Sequence, residues 1–254
     1  MNAYILKIIA IVGMALQHAA LVLGDTIPTV LHFPFQLAGG FTFPIMAFLL
    51  VEGYRHTRNV KAYALRLGIF ALVSQPFYMW AFGTWFGFNI MFILAIGVLS
   101  LMLYDYTKGG AHAWVFWLAF VPYTLISLMA DWGIVGPVMI LLYHVVKKEG
   151  WRRTLSPVIA GVYNFGLIML ITALAVFVEF VFPGAMGAAV EGMGVAVVDP
   201  LMGLAGLMFP VGSILSLFCL RAYNGERGPG MKYFFYAFYP AHLAALGLAT
   251  WLLR

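Results

Sequence analysis

Apolar residues run along this chain in long blocks, and polar positions gather in short gaps between them. A helix rising 1.5 Å per residue needs about 20 apolar residues to cross a hydrocarbon layer of about 30 Å. Segments of that kind fall at 4–24, 35–54, 62–82, 86–104, 112–130, 132–147, 154–181, 200–220 and 231–252, which predicts nine spans. Only Ala130-Asp131-Trp132-Gly133 separates the fifth from the sixth, and the sixth is short, so a re-entrant pair of the same parity is the alternative there. Glycine and proline cluster at Gly39-Gly40, Phe43-Pro44, Gly184 to Gly194 and Pro200, and the small-residue stretch 183–199 reads as an external loop. The expected fold is all-α and polytopic, one integral membrane domain over 1–254 without a fixed-period repeat.

Composition and charge support that pattern. The chain is 64% hydrophobic and 9% charged with a mean hydropathy of +0.98, which excludes an ordinary soluble domain. A cytoplasmic N-terminus places Arg55, Arg58, Lys61, Arg66, Lys108, Lys147, Lys148, Arg152, Arg153, Arg221, Arg227 and Lys232 inside, 12 of the 14 basic residues. That agrees with the positive-inside rule. Asp25, Asp131, Glu191 and Asp199 then face outward with Glu179 at a helix edge, and Arg254 puts the C-terminus on the periplasmic side. The first segment carries Lys7 and no small-residue cleavage site, so it reads as a retained helix. Cys219 is the one cysteine and forms no internal disulfide. There is no zinc spacing, no phosphate-binding glycine loop and no Gly-x-Ser-x-Gly elbow. Neither a metal nor a nucleic acid is expected, and membrane lipid is.

Candidate chemistry lies in the polar residues that interrupt the apolar blocks. Lys7 and His18 are eleven residues apart, close to three helical turns, and so share one stripe about 16 Å long. Ionisable residues at such depth cost about 2.5 to 3.5 kcal/mol and face a partner, a cavity or a reaction. A neutral imidazole there can take a proton from an attacking nucleophile or accept an acyl group, while the bland alternative is a helix-bridging hydrogen bond with Lys7 snorkelling to the interface. Glu52, Arg55 and His56 share a face at the end of the second segment, so Glu52 can orient either cation. Arg55, His56 and Arg58 at a membrane mouth suit a phosphorylated ligand, or simply hold orientation. Gln75, Asn89, Asp131, Asn164 and His242 lie in later segments. Among them Asn89 can bond a substrate carbonyl or a neighbouring helix, and His242 follows the helix-breaking Pro240.

Five blocks, taken together, resemble the TraX family. They are Leu6-Lys7 with Met14 and His18; Phe43-Pro44-Ile45-Met46-Ala47-Phe48 with Glu52 to Asn59; Asn89-Ile90-Met91-Phe92; Asp131 to Gly136; and Phe238-Tyr239-Pro240-Ala241-His242-Leu243. Their order runs through nearly the whole chain. The resemblance implies a bacterial inner-membrane protein of conjugative pilus biogenesis that acetylates the amino terminus of a hydrophobic pilin. It also implies likeness to membrane acyltransferases with a basic residue eleven positions before a first-helix histidine, as Lys7 and His18 are placed. Those enzymes draw on cytosolic acetyl-CoA, which gives Arg55, His56 and Arg58 a phosphate-binding role.

In this reading His18 is the base, Lys7 or Arg55 stabilises negative charge, and Asn89 and His242 position substrate, with Tyr239 among the orienting residues. The family commonly has aspartate before the histidine, where this chain has Gln17. Either another acid, Glu52 or Asp131, replaces it, or the chemistry is a variant such as head-to-tail pilin cyclisation. A proton-coupled transporter using His18, Asp131 and His242, and a non-catalytic pilin chaperone, are the alternatives from other classes.

Overall fold

In the computed structural model the described residues are 1–110, 112–130, 132–146 and 205–253, with 154–155, 158–159, 162, 166, 178, 181–182 and 184. Among them the chain forms α1 (Ala3–Leu23), α2 (Thr29–His56), α3 (Val60–Phe82), α4 (Ile90–Thr107), α5 (Ala113–Ile126), α6 (Val135–Val145), α7 (Met208–Arg221) and α8 (Lys232–Leu252). No strand occurs among these residues beyond one isolated bridge between Phe88 and Ala130. Among the described residues the fold is all-α, and these eight helices fall on eight of the nine apolar segments. Most of the segment 154–181 lies outside the described residues, as do Asn164, Asp131, Arg254, the basic group at 147–153 and nearly all of the loop 183–199. By length and apolar character, α1, α2 and α4 can each cross a membrane.

Asparagine starts three of the helices. The side chain of Asn2 accepts from the Ile5 amide at 3.1 Å, Asn59 from Ala62 at 2.9 Å and Asn89 from Met91 at 3.0 Å, each satisfying a donor that the first helical turn leaves over. Gly24 and Gly83 end α1 and α3 at positive φ, 43° and 63°, where a side chain would be strained.

α2 is the central helix, packed against α1, α4, α6 and α7. It begins six residues before the expected segment and runs unbroken through Gly39-Gly40 and Pro44. Pro44 has no N–H, so the Gly40 carbonyl one turn earlier loses its helical donor. The Ser213 hydroxyl of α7 takes that place, 3.1 Å from the Gly40 carbonyl and 3.2 Å from Phe209 in its own helix. The contact needs glycine on both sides. A Cβ on Gly40 would meet the Phe209 carbonyl, and one on Gly212 the carbonyl of Leu37.

The expected fifth and sixth spans are shorter than their apolar segments. α5 has 14 residues followed by a 3-10 turn over Ser127–Met129, and α6 has 11 residues. They nevertheless cover the length of α4. Phe116 packs on Tyr104 near one end of α4, and the Phe88 amide donates to the Met129 carbonyl at 2.7 Å just before the other.

The bundle has two distinct ends. At one, Tyr54 donates to Asp105 at 2.8 Å, His144 Nε2 lies 3.0 Å from the same carboxylate, and Lys108 pairs with it. The backbone before α1 bonds there to the α7–α8 connection, with Asn224 N donating to Met1 O at 2.9 Å and Ala3 N to Glu226 O at 2.8 Å. The opposite end holds the α1–α2, α3–α4 and α5–α6 connections. Alternation of the connections between two ends is what successive crossings require.

Candidate functional site

A cavity of about 910 Å³ runs through the bundle from the basic end, past His18, to Leu21, Gln36, Phe82, Ile90 and Trp132 toward the other end. Its upper part is contributed by α1, α2, α3, α8 and the α7–α8 connection, with Lys7, Glu52, His56, Arg58, Arg66 and Arg227 on its wall. Lys7 Nζ stands over the Phe235 ring at 5.3 Å, a cation–π contact that lets an ammonium stay where its stem is in apolar surroundings. Lys7, Arg58, Arg66 and Arg227 form no ion pair among the described residues, whereas Glu52 is 3.5 Å from Arg55. The mouth therefore carries an excess of positive charge.

Further in, the wall becomes apolar, with Met14, Phe43, Leu49, Leu50 and Leu94, before it meets Gln17 and His18. His18 is 6% exposed. Its Nδ1 lies 3.0 Å from Nε2 of His242 on α8, the two rings only 19° from coplanar. Behind it, His242 Nδ1 is 3.0 Å from the Phe238 carbonyl one turn earlier. Phe82 closes on His18 edge-first at 5.2 Å and Phe238 stacks on His242 at 5.2 Å, so the pair is walled by apolar rings. Tyr239 lines the cavity and meets the His242 ring at 5.4 Å. Gln17 also lines it, packed on Gly39 where a Cβ would collide with the glutamine side chain.

Of the residues singled out in the sequence, Lys7, Gln17, His18, Glu52, His56, Arg58 and Tyr239 share this one cavity, and His242 is joined to it through His18. Two others do different work. Asn89 is fully buried and does not line the cavity; its amide donates to Ala71 O and Gln75 Oε1, both at 2.8 Å, while its oxygen caps α4. The substrate-positioning role expected for it gives way to a helix cap tied to α3. Arg55 is likewise off the cavity wall. Its guanidinium donates to the carbonyls of Tyr143 and His144 at 3.1 and 3.0 Å, fastening α2 to the end of α6. Gln75 accepts from Asn89 and donates to the Gly87 carbonyl at 2.7 Å, and Asp131 and Asn164 lie outside the described residues.

In the sequence Arg66 and Arg227 stand out only as charges that set orientation, yet both stand on the cavity wall, with Tyr63 and Tyr236 beside Arg66. Arg66 carries a signal, an arginine at the fifth position of an apolar segment. Arg227 carries none, because only folding brings the α7–α8 connection over α1.

The family model described as "TraX protein" matches residues 2–250. The chain is 29% identical to "Probable fimbrial assembly protein FimC, serogroup H1" of Dichelobacter nodosus, over all of this chain and 97% of that protein. It is 28% identical to "Protein TraX" of Escherichia coli (strain K12), over 96% of this chain and 85% of that protein. No solved structure matches.

Proposed function

Because this chain belongs to the TraX family, we propose that it is a multi-pass inner-membrane acyltransferase that moves an acetyl group from acetyl-CoA to the terminal amine of a pilin. In this reading it crosses the membrane nine times with its basic end in the cytoplasm. The observation that carries the proposal is one cavity whose wall bears Lys7, Arg58, Arg66 and Arg227, none of them ion-paired among the described residues, and which reaches a buried histidine pair. A relative named for fimbrial assembly supports a pilus subunit as the acceptor.

The chemistry divides along the cavity. Arg58, Arg66 and Arg227, with Lys7, hold the phosphates of the donor, since guanidinium forks match phosphate oxygens and none of the four is ion-paired among the described residues. Arg55 is not among them, its fork being committed to two backbone carbonyls. From Lys7 to His18 is about 16 Å along α1, a length that a slender thioester arm fills across the apolar middle of the cavity. At its end His18 takes a proton from the attacking amine as the C–N bond forms, and returns it to the sulfur as the C–S bond breaks. Amine and thioester become amide and thiol, with no proton left over. The ring walls of Phe82 and Phe238 exclude the water that would otherwise hydrolyse the thioester.

Purified protein in nanodiscs, given acetyl-CoA and pilin, tests the assignment. Release of free thiol should equal acetylated amine mole for mole. Pilin that stays unmodified, or that loses water whether or not acetyl-CoA is present, contradicts it.

A further inference from the structure

We propose that His242 is a positioning residue that fixes the tautomer of His18, so that the nitrogen offered to the cavity is His18 Nε2 as a bare lone pair. The inference rests on the acyl-transfer reading only for its kinetic consequence. The tautomer itself follows from three atoms and their chemistry.

The Phe238 carbonyl can only accept a hydrogen bond. The contact of 3.0 Å with His242 Nδ1 therefore requires the proton to be on that nitrogen. In a neutral ring the other nitrogen, Nε2, is then a lone pair. That lone pair faces His18 Nδ1 at 3.0 Å, so His18 Nδ1 carries the proton and donates it. With the nitrogens 3.0 Å apart, a centroid separation of 5.2 Å and a 19° angle, the bond runs along the line of two nearly coplanar rings, where an imidazole lone pair points. The last nitrogen in the chain, His18 Nε2, makes no hydrogen bond among the described residues, and His18, unlike His242, lines the cavity.

The same order of bonds explains how this chain manages with Gln17 before its first-helix histidine. When His18 Nε2 takes a proton, the ring becomes an imidazolium whose Nδ1–H still points at a lone pair, on His242. No carboxylate is needed to hold the ring or to accept from it. Gln17 has an amide that cannot take a proton, and its place on the cavity wall is beside the substrate path rather than behind the base. The sequence separation of 224 residues hides the partnership, since α1 and α8 become neighbours only in the folded bundle.

Nitrogen-15 spectra of the histidine-labelled full chain in nanodiscs test the tautomer directly, with His18 and His242 identified by the signals missing in His18→Gln and His242→Gln. Both residues should carry the proton on Nδ1, with bare Nε2. A proton on His18 Nε2 overturns the inference, whether or not the protein acylates anything. Kinetics give a second readout. Glutamine at 242 can present an amide oxygen to His18 Nδ1–H, whereas leucine cannot. His242→Leu should lower kcat about 100-fold with little change in KM for the donor, and His242→Gln should restore most of that loss. Equal losses in the two variants would instead make His242 an acid or base in its own right, and would also overturn the proposal. Absence of any acyl transfer by the unaltered protein would remove the proposed function while leaving the tautomer measurement valid.

Discussion

His18 and Asn89 are both buried polar residues in apolar surroundings, and their bonds separate their roles. The amide of Asn89 is consumed by Ala71, Gln75 and the first turn of α4. His18 keeps one ring nitrogen for the cavity. Asn89→Ala should therefore cost about 2 kcal/mol in thermal unfolding while the rate per folded molecule is retained. Arg66→Ala and Arg227→Ala should each raise KM for acetyl-CoA about tenfold with a smaller effect on kcat, as loss of a charge-assisted phosphate contact requires. An unchanged KM in both would move the donor away from this mouth. At this scale the sequence was readable where burial made a residue costly, as for Lys7 and His18. It was misleading where a simpler explanation sufficed, since Arg66 fitted the positive-inside rule as well as a site. Asn89 was misplaced by a boundary: a fourth helix beginning at 86 puts it inside an apolar run, whereas α4 begins at Ile90 and leaves Asn89 in the capping position.

Helices here are held by backbone contact as much as by side-chain packing. Gly40 and Gly212 let α2 and α7 touch, and Ser213 supplies the donor that Pro44 withholds. Gly212→Val should destabilise the folded protein by about 3 kcal/mol in detergent, and Ser213→Ala by about 1 kcal/mol. Gly68→Ala is the control, because open space surrounds that position on α3 and alanine there should be neutral or slightly stabilising. Apolar block length locates six helices within about four residues at each end, while α2 begins six residues before its block and α7 eight residues into its own. It does not distinguish a glycine-proline cluster that breaks a helix from one that fits a neighbour, because the neighbour, α7, lies some 170 residues away. Nor does block length show that α5 and α6 each divide their segment between helix and turn, with Tyr143, Met139 and Ile140 buried in the core of the bundle.

Across the whole molecule, charge and cavity point the same way. The end that gathers Arg58, Arg66, Lys108, Arg221 and Arg227 is also the end where cations stand on the cavity wall, so the positive-inside rule and the proposed cytosolic donor make one demand on orientation. Single cysteines at Lys61, Gly110 and Gly230, placed in a Cys219→Ala background, should label only from the cytoplasmic side, and those at Thr26 and Thr84 only from the other; a mixed pattern contradicts the proposed crossings. The convergence of α1 and α8 was legible only as two histidines in distant segments, since nothing in local periodicity says which helices touch. The central claim is that His18 performs acyl transfer to a pilin, and the intact mass of pilin coexpressed with this protein tests it most directly. The mass should rise by one acetyl group with the unaltered chain and return to that of bare pilin with His18→Ala. A loss of one water that depends on His18 would replace acetylation by cyclisation, and an identical pilin mass with and without His18 would contradict the claim outright.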